Sequence, residues 1–129
     1  MKQKVYLGID LGAESGRLIA GLWDGSKLTL EEIHRFGNGP VLLGNSIRWN
    51  IMGLWSEIQT GMTIAAKKFG NDIISIGADT WGVDFVLLNK EEEILGQPYH
   101  YRDDRTNGLM EEVFQIVPKA DIFAETGLQ

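Results

Sequence analysis

A strand that ends in a carboxylate and then doubles back is the strongest constraint in this sequence. Val5, Leu7, Ile9 and Leu11 alternate with Tyr6, Gly8, Asp10 and Gly12. That period of two predicts a strand over residues 4–11, apolar on one face and carrying Asp10 near its end on the other. Gly12-Ala13-Glu14-Ser15-Gly16 then supplies a turn, and the apolar run Leu18 to Trp23 predicts a second strand. Strands joined so tightly pair as an antiparallel hairpin. The hairpin brings backbone N–H groups close to Asp10. Such groups can hold a phosphate, and a carboxylate beside them can hold a hydrated divalent cation. An ordinary tight turn, with Asp10 on a solvated face, fits the same residues.

Two familiar phosphate loops are excluded. Gly8, Gly12 and Gly16 are spaced four apart, which is not G-x-G-x-x-G, and no G-x-x-x-x-G-K-[ST] occurs. Both of those motifs open a helix, whereas this turn opens a strand.

Further along, Asp24-Gly25 marks a second hairpin, and Leu28 to Arg35 reads as a third antiparallel strand. Gly37-Asn38-Gly39-Pro40 is a loop, and residues 41–49 are irregular or a short hairpin around Gly44-Asn45. Asn50 can cap a helix in which Ile51, Leu54, Trp55, Ile58, Met62, Ala65, Ala66 and Phe69 recur at helical spacing, closed by Gly70-Asn71. Its Trp, Met and Phe stripe reads as core. Ile73 to Ala78 predicts a buried strand, and Val83 to Leu88 another, with Lys90-Glu91-Glu92-Glu93 as a solvated hairpin tip and Ile94-Leu95 pairing back. Leu109, Met110, Val113, Phe114 and Val117 predict a helix stopped by Pro118, followed by a turn or two of helix ending at Gly127. The order β-β-β-α-β implies an α/β fold with a mixed sheet, in one domain without linkers or repeats.

Charge and residue usage narrow the chemistry. The chain has a net charge of −6, which argues against a general nucleic-acid binder. It has no cysteine, so disulfides, thiolate metal sites and Cys nucleophiles are ruled out. With only His34 and His100, a multi-histidine metal site is not expected. No run approaches the ~18 apolar residues that span a bilayer, and residues 1–11 lack a signal-peptide pattern. A soluble, cytoplasmic protein is the expectation, with no membrane partner.

Two other segments concentrate polar and aromatic groups. Asp79-Thr80-Trp81-Gly82-Val83-Asp84-Phe85 follows directly on a predicted strand, the usual place for a ligand in an α/β sheet. Trp81 offers a flat face for a sugar, Gly82 lets a ligand approach the backbone, and Asp79 and Asp84 can accept from hydroxyls. A turn with Trp81 in the core would use the same residues. Tyr99-His100-Tyr101-Arg102-Asp103-Asp104-Arg105-Thr106 precedes a helix. Arg105 can pair with Asp103 or reach a substrate oxygen, and a surface ion-pair cluster with a helix cap is the alternative.

Taken together, Asp10 to Arg17, Ile33-His34-Arg35-Phe36, Ser75 to Phe85 and Tyr101 to Gly108 resemble the FGGY family of carbohydrate kinases, and within it the enzymes that act on L-rhamnulose. The first segment is shared by the wider actin-like ATPases. The segment Asp79 to Phe85 is the more specific. The resemblance covers essentially all 129 residues. It implies a ribonuclease-H-like fold of the actin/hexokinase type, with ATP and Mg²⁺ as cofactors. The implied reaction is phosphoryl transfer from ATP to a ketose, typically L-rhamnulose at its 1-hydroxyl. By the same resemblance Ala13, Glu14, Ser15, Gly16 and Arg17 grip the ATP phosphates. Asp10 helps hold Mg²⁺ through water, the sugar lies near Trp81 and Gly82, and Asp103 and Arg105 shape its pocket. Family members often carry Ser where this chain has Glu14, so Glu14 is expected to turn its carboxylate outward and offer only backbone. Other FGGY substrates (xylulose, fuculose, glycerol), a non-catalytic actin-like nucleotide-binding module and a stand-alone sugar-binding module are the competing readings.

Family members are several times longer than this chain. Their general-base aspartate and adenine-binding domain lie downstream, and no aspartate here matches the base motif. The resemblance therefore reads residues 1–129 as the N-terminal part of the first kinase domain, an incomplete fold that ends mid-domain at Thr126-Gly127-Leu128-Gln129. Its partner would be the remainder of its own chain, and the isolated piece is expected to self-associate through exposed apolar surface. Phosphoryl transfer needs positioned groups and an oriented nucleophile. In an ADP-release assay with L-rhamnulose, the 129-residue polypeptide is expected to show no turnover. A rate near that of a full-length kinase would refute this.

Overall fold

The strand alternation read above builds the sheet seen in the computed structural model, which describes residues 3–128. Gln129, the end of the closing Thr126–Gln129 stretch, lies outside them. β1 (Lys4–Leu11), β2 (Ser15–Trp23) and β3 (Leu28–Gly37) form an antiparallel meander. β4 (Val41–Leu43) and β5 (Ser46–Arg48) make a separate hairpin around Gly44-Asn45, with Gly44 at φ +59°. α1 (Ile51–Phe69) starts at Asn50, whose side chain accepts the Gly53 N–H at 3.0 Å. It closes at Gly70 with φ +51°. β6 (Ile73–Thr80) returns beside β1 in parallel, giving the order β3-β2-β1-β6. This is the mixed sheet and the β-β-β-α-β order that the sequence predicts.

α1 covers the apolar face of the sheet over β2 and β3. Val5, Leu7, Leu18, Ala20 and Ala65 are buried there, with Ile9, Leu22, Ile33, Phe69 and Ile73 packed around them. Gly61 permits the close approach, since a Cβ at that position would stand 3.1 Å from the Leu18 Cβ. His34 of β3 meets Glu57 of α1 at 2.6 Å, a polar link at the edge of the same interface.

Three expectations are corrected. Val83 to Leu88 is neither a strand nor buried: a single bridge joins Leu88 to Ile94, and Val83 and Phe85 are largely exposed. A hairpin tip does form, because the Asn89 side chain accepts the N–H groups of Glu91 and Glu93, but no neighbouring strand offers this segment a ladder. Ile73 to Ala78 is a strand but not a buried one. It pairs only with β1, and Ile74 and Ile76 are about half exposed. Trp55 is exposed rather than core, since it lies one residue, about 100°, around the helix from buried Leu54. The C-terminal helices match expectation as α2 (Leu109–Ile116) and α3 (Lys119–Thr126), with Pro118 between them and Gly127 at φ +70° after them. Among the described residues, no helix is long and apolar enough to cross a membrane.

Leu18 sits at the centre of the sheet–helix contact and is 2% exposed. Leu18→Ala is expected to lower unfolding stability by about 2–5 kcal/mol. The change should appear as a lower urea midpoint at constant slope.

Candidate active site

Register places the charged groups. Asp10 of β1 is opposite Arg17 of β2, Arg17 is opposite Arg35 of β3, and Asp79 of β6 lies on the other side of Asp10. Pairing in register puts all four on the face away from α1. The row therefore runs Arg35, Arg17, Asp10, Asp79. Arg17 Nε donates to Asp10 Oδ2 at 2.7 Å, with both side chains about 40% exposed. Asp10 thus keeps one oxygen clear of Arg17.

The turn after β1 has a distinct polarity. Gly12 N–H donates to Ser15 C=O at 2.9 Å, the Asn38 side-chain amide donates to Gly12 C=O at 2.6 Å, and the Asn38 N–H donates to Glu14 C=O at 3.0 Å. The carbonyls of Gly12, Glu14 and Ser15 are thereby tied inward. The N–H groups of Ala13 and Glu14 are bonded by no acceptor among the described residues. Beside the Ala13 carbonyl, the turn therefore has two adjacent N–H donors to offer, the polarity an anion needs. Gly12 and Gly16 are required by space: a Cβ at Gly12 would stand 2.9 Å from the Ser15 carbonyl oxygen, and one at Gly16 would strike the Phe36 ring at 2.3 Å.

The second cluster forms at the end of β6. Because β1 and β6 run parallel, Trp81 and Gly82 leave the sheet at the same edge as the Gly12–Ser15 turn. Trp81 stacks on Trp49 with centroids 4.2 Å apart, Trp49 contacts His100 at 4.1 Å, and His100 stacks on Tyr101 at 4.4 Å. Asp84 Oδ2 accepts both indole N–H groups, from Trp49 at 2.6 Å and Trp81 at 3.0 Å. Gly82 is exposed, and a Cβ there would meet nothing within 4 Å, so its backbone is open to a ligand. His100 is buried. Its Nδ1 accepts the Arg102 N–H at 3.0 Å, so the neutral ring carries its proton on Nε2, which has no partner among the described residues. Burial pushes the imidazole pKa below its usual value, against a partial opposing pull from Asp84.

Asp103 is turned into the protein. It accepts the Ile47 N–H at 2.7 Å and the Arg105 N–H at 3.0 Å, one on each oxygen. The Ile47 hydrogen bond is the main cause holding its carboxyl below the usual carboxylate range, outweighing the cost of burial, with Arg105 and Arg48 helping. Arg105 lies 3.9 Å from Asp103, and its guanidinium sits over the Tyr99 ring at 4.2 Å, as that of Arg48 does at 3.3 Å. Arg48, Asp84, Phe85, Leu95, Tyr99 and Arg105 line a cavity of about 150 Å³.

The structure thus brings Asp10, Arg17 and the turn residues together, and separately gathers Trp81, Gly82, Asp103 and Arg105 around the β5 strand. Asp79 joins the first group through register alone. Three residues that sequence reasoning passed over have clear parts: Asn38, Trp49 and Arg48. Asn38 lay in a segment read only as loop, and its one signal is an amide side chain between two glycines. Among the described residues, no group of three or more His, Asp or Glu side chains forms a metal cage. Asp10 and Asp79 as neighbouring carboxylates fit a cation held largely through its own waters and a ligand's phosphates.

No family model matches the chain. It is 46% identical over 127 residues to the rhamnulokinase of Oceanobacillus iheyensis, covering 98% of this chain and 27% of that protein. It is 44% identical over 129 residues to the rhamnulokinase of Bacteroides thetaiotaomicron, covering 100% and 26%. The chain spans about a quarter of the length of the curated relatives it matches. Among solved structures it superposes on a gluconate kinase from Lactobacillus acidophilus with a TM-score of 0.80 at 14% identity, covering 98% of this chain and 25% of that one. A Plasmodium falciparum glycerol kinase with ADP gives 0.70 at 16% identity, covering 94% and 25%. These neighbours show the fold, that of the actin/hexokinase type found in sugar kinases, and the chain is similar in sequence to rhamnulokinases over 95–100% of its length.

Asp103→Asn keeps the shape but leaves one amide donor facing an NH₂ group. A carboxyl with a depressed folded pKa contributes stability that is present above its unfolded value and lost as pH falls through the folded one. The variant is therefore expected to melt about 5 °C lower than the parent at pH 7. That gap should close as pH is taken below the ordinary value of 3.8. Thermal unfolding by circular dichroism across this range is the check.

Proposed function

We propose that the whole protein is an ATP-dependent sugar kinase that phosphorylates L-rhamnulose on its 1-hydroxyl, and that these 129 residues are the N-terminal, phosphate-gripping and sugar-side part of its first domain. The observation that carries this is the shared sheet edge: a turn with unbonded N–H donors beside Asp10 on β1, and an aromatic platform with an open glycine after β6, on adjacent parallel strands. Identity of 43–46% to rhamnulokinases supports the choice of sugar.

In this reading the N–H groups of Ala13, Glu14 and Ser15 cradle the ATP phosphates, with Gly16 keeping the turn narrow. Arg17 lies beside Asp10 and offers a guanidinium to the same phosphates. Asp10 holds Mg²⁺ through its water shell. The ion, when bound, neutralises negative charge on the β- and γ-phosphates. Trp81 already spends one face on Trp49, so the sugar packs on the other, with its hydroxyls near the Gly82 backbone. Asp103 acts by fixing the segment that carries Tyr101 and Arg105, not by touching the sugar. Phosphoryl transfer asks the protein for position and charge more than for covalent chemistry, and both of those are what this edge supplies. No aspartate in these residues matches the family's base motif, so the reading takes the general base from outside this stretch. It also takes the protein to be cytoplasmic.

With full-length protein, ATP and L-rhamnulose, phosphorus NMR is expected to show a sugar phosphate monoester on the 1-oxygen. Asp10→Asn should lower kcat by about 100-fold or more, with the KM for sugar little changed. A higher kcat/KM for xylulose, fuculose or glycerol than for L-rhamnulose would overturn the choice of sugar. Absence of any nucleotide binding would overturn the kinase reading.

A further inference from the structure

Asn38 is a buried polar residue, 4% exposed, lying just past the end of β3 and outside every segment the sequence marked as functional. It makes two hydrogen bonds to one target. Its side-chain amide donates to Gly12 C=O at 2.6 Å, and its backbone N–H donates to Glu14 C=O at 3.0 Å. Both acceptors belong to the turn between β1 and β2.

The peptide bond is planar and here trans throughout, so the C=O of one residue points opposite to the N–H of the next. Anchoring Gly12 C=O therefore turns the Ala13 N–H away from Asn38. Anchoring Glu14 C=O does the same for the Ser15 N–H. Without the side-chain anchor, the Gly12–Ala13 peptide unit is free to rotate. Gly12 has no side chain to resist this, and Ala13 and Glu14 belong to no strand ladder. A rotated unit would present a carbonyl oxygen where an anion needs a donor, turning attraction into repulsion.

We propose that Asn38 is a positioning residue for phosphate binding: it orients two peptide planes of the Gly12–Ser15 turn so that their N–H groups face a nucleotide phosphate. The proposal rests on the kinase reading above and adds a residue that touches neither nucleotide nor sugar. It also accounts for the burial of an amide side chain at the end of an otherwise exposed loop.

The test measures ADP and L-rhamnulose affinity separately, by calorimetry, on full-length protein and two variants. Asn38→Asp keeps size and the backbone donor but sets a carboxylate oxygen against Gly12 C=O. Asn38→Ala removes the side-chain donor without adding charge. Both are expected to weaken ADP about tenfold, the scale of one lost hydrogen bond with its orienting effect. L-rhamnulose affinity should stay within twofold, and the steady-state KM for ATP should rise while that for sugar does not. ADP binding within twofold of the parent in both variants would overturn the proposal and leave the kinase reading intact. Equal loss of ADP and sugar affinity, together with a lower Tm, would also overturn it, since that is what general destabilisation gives. A parent protein that binds no ADP would sink both.

Discussion

Everything in this structure is referred to β1. It is an internal strand of the four-stranded sheet and its carboxyl end leads into the candidate site: β2 lies antiparallel on one edge and β6 parallel on the other. Its apolar face sends Val5 and Leu7 into the core that α1 closes over β2 and β3, and its opposite face carries Asp10. A slip of one residue would exchange these faces, sending Asp10 into the core and Leu7 into solvent. The burial of Val5 and Leu7 thus fixes where the carboxylate stands. A parallel partner cannot be reached by a tight turn. The long connection through α1 is what brings β6 back alongside, and the small residues Gly61 and Ala65 let the helix lie close enough to seal the contact.

Strand direction then assembles the site. The carboxyl ends of β1 and β6 coincide, so the turn after one and the Trp81 segment after the other share an edge. The register row Arg35, Arg17, Asp10, Asp79 sets like charges in neighbouring pairs at each end and one ion pair in the middle. At about 40% exposure the Arg17–Asp10 pair adds little to stability. Its consequence is geometric: it holds one oxygen of Asp10 and leaves the other side of the guanidinium available. A cationic and an anionic group held side by side next to free N–H donors suit a ligand that brings both phosphate and a divalent ion.

Much of this was legible in the sequence because it rests on local rules. Period-two alternation marked β1, an apolar run and the Asp24-Gly25 turn marked β2 and β3, helical spacing with Asn50 and Gly70 marked α1, and Pro118 and Gly127 marked the breaks around α3. The rest depends on contacts between distant segments. Nothing near Asn38 in sequence says that it bonds Gly12, 26 positions away. Trp49 looked like part of an irregular stretch, yet it is the centre of the aromatic stack, through partners 32 and 51 residues distant. Asp103 read as a group that shapes a sugar pocket because it sits among polar residues. That its carboxylate also accepts the Ile47 amide of β5 is something only the fold reveals.

The clearest failure of sequence reasoning, Val83 to Leu88, has a physical cause that bears on the site. Its β-branched and apolar residues favour a strand, but the backbone is bent away at the start, with Val83 at φ +71°. A β-branched residue there costs about 1–3 kcal/mol, and such strain persists only where surrounding contacts impose it. The contacts at hand are the two indole N–H groups that converge on Asp84, one residue on. They hold Asp84 under Trp49 and Trp81, so the chain cannot continue β6 and Gly82 is left on an open corner beside the Trp81 ring. Local propensity and global structure disagree at the residue that follows the candidate sugar platform. Disagreements of that kind gather at functional sites because the fold is being held in a shape its own residues would not choose. The strained corner therefore supports placing a ligand at Trp81 and Gly82 on grounds separate from the sequence resemblance.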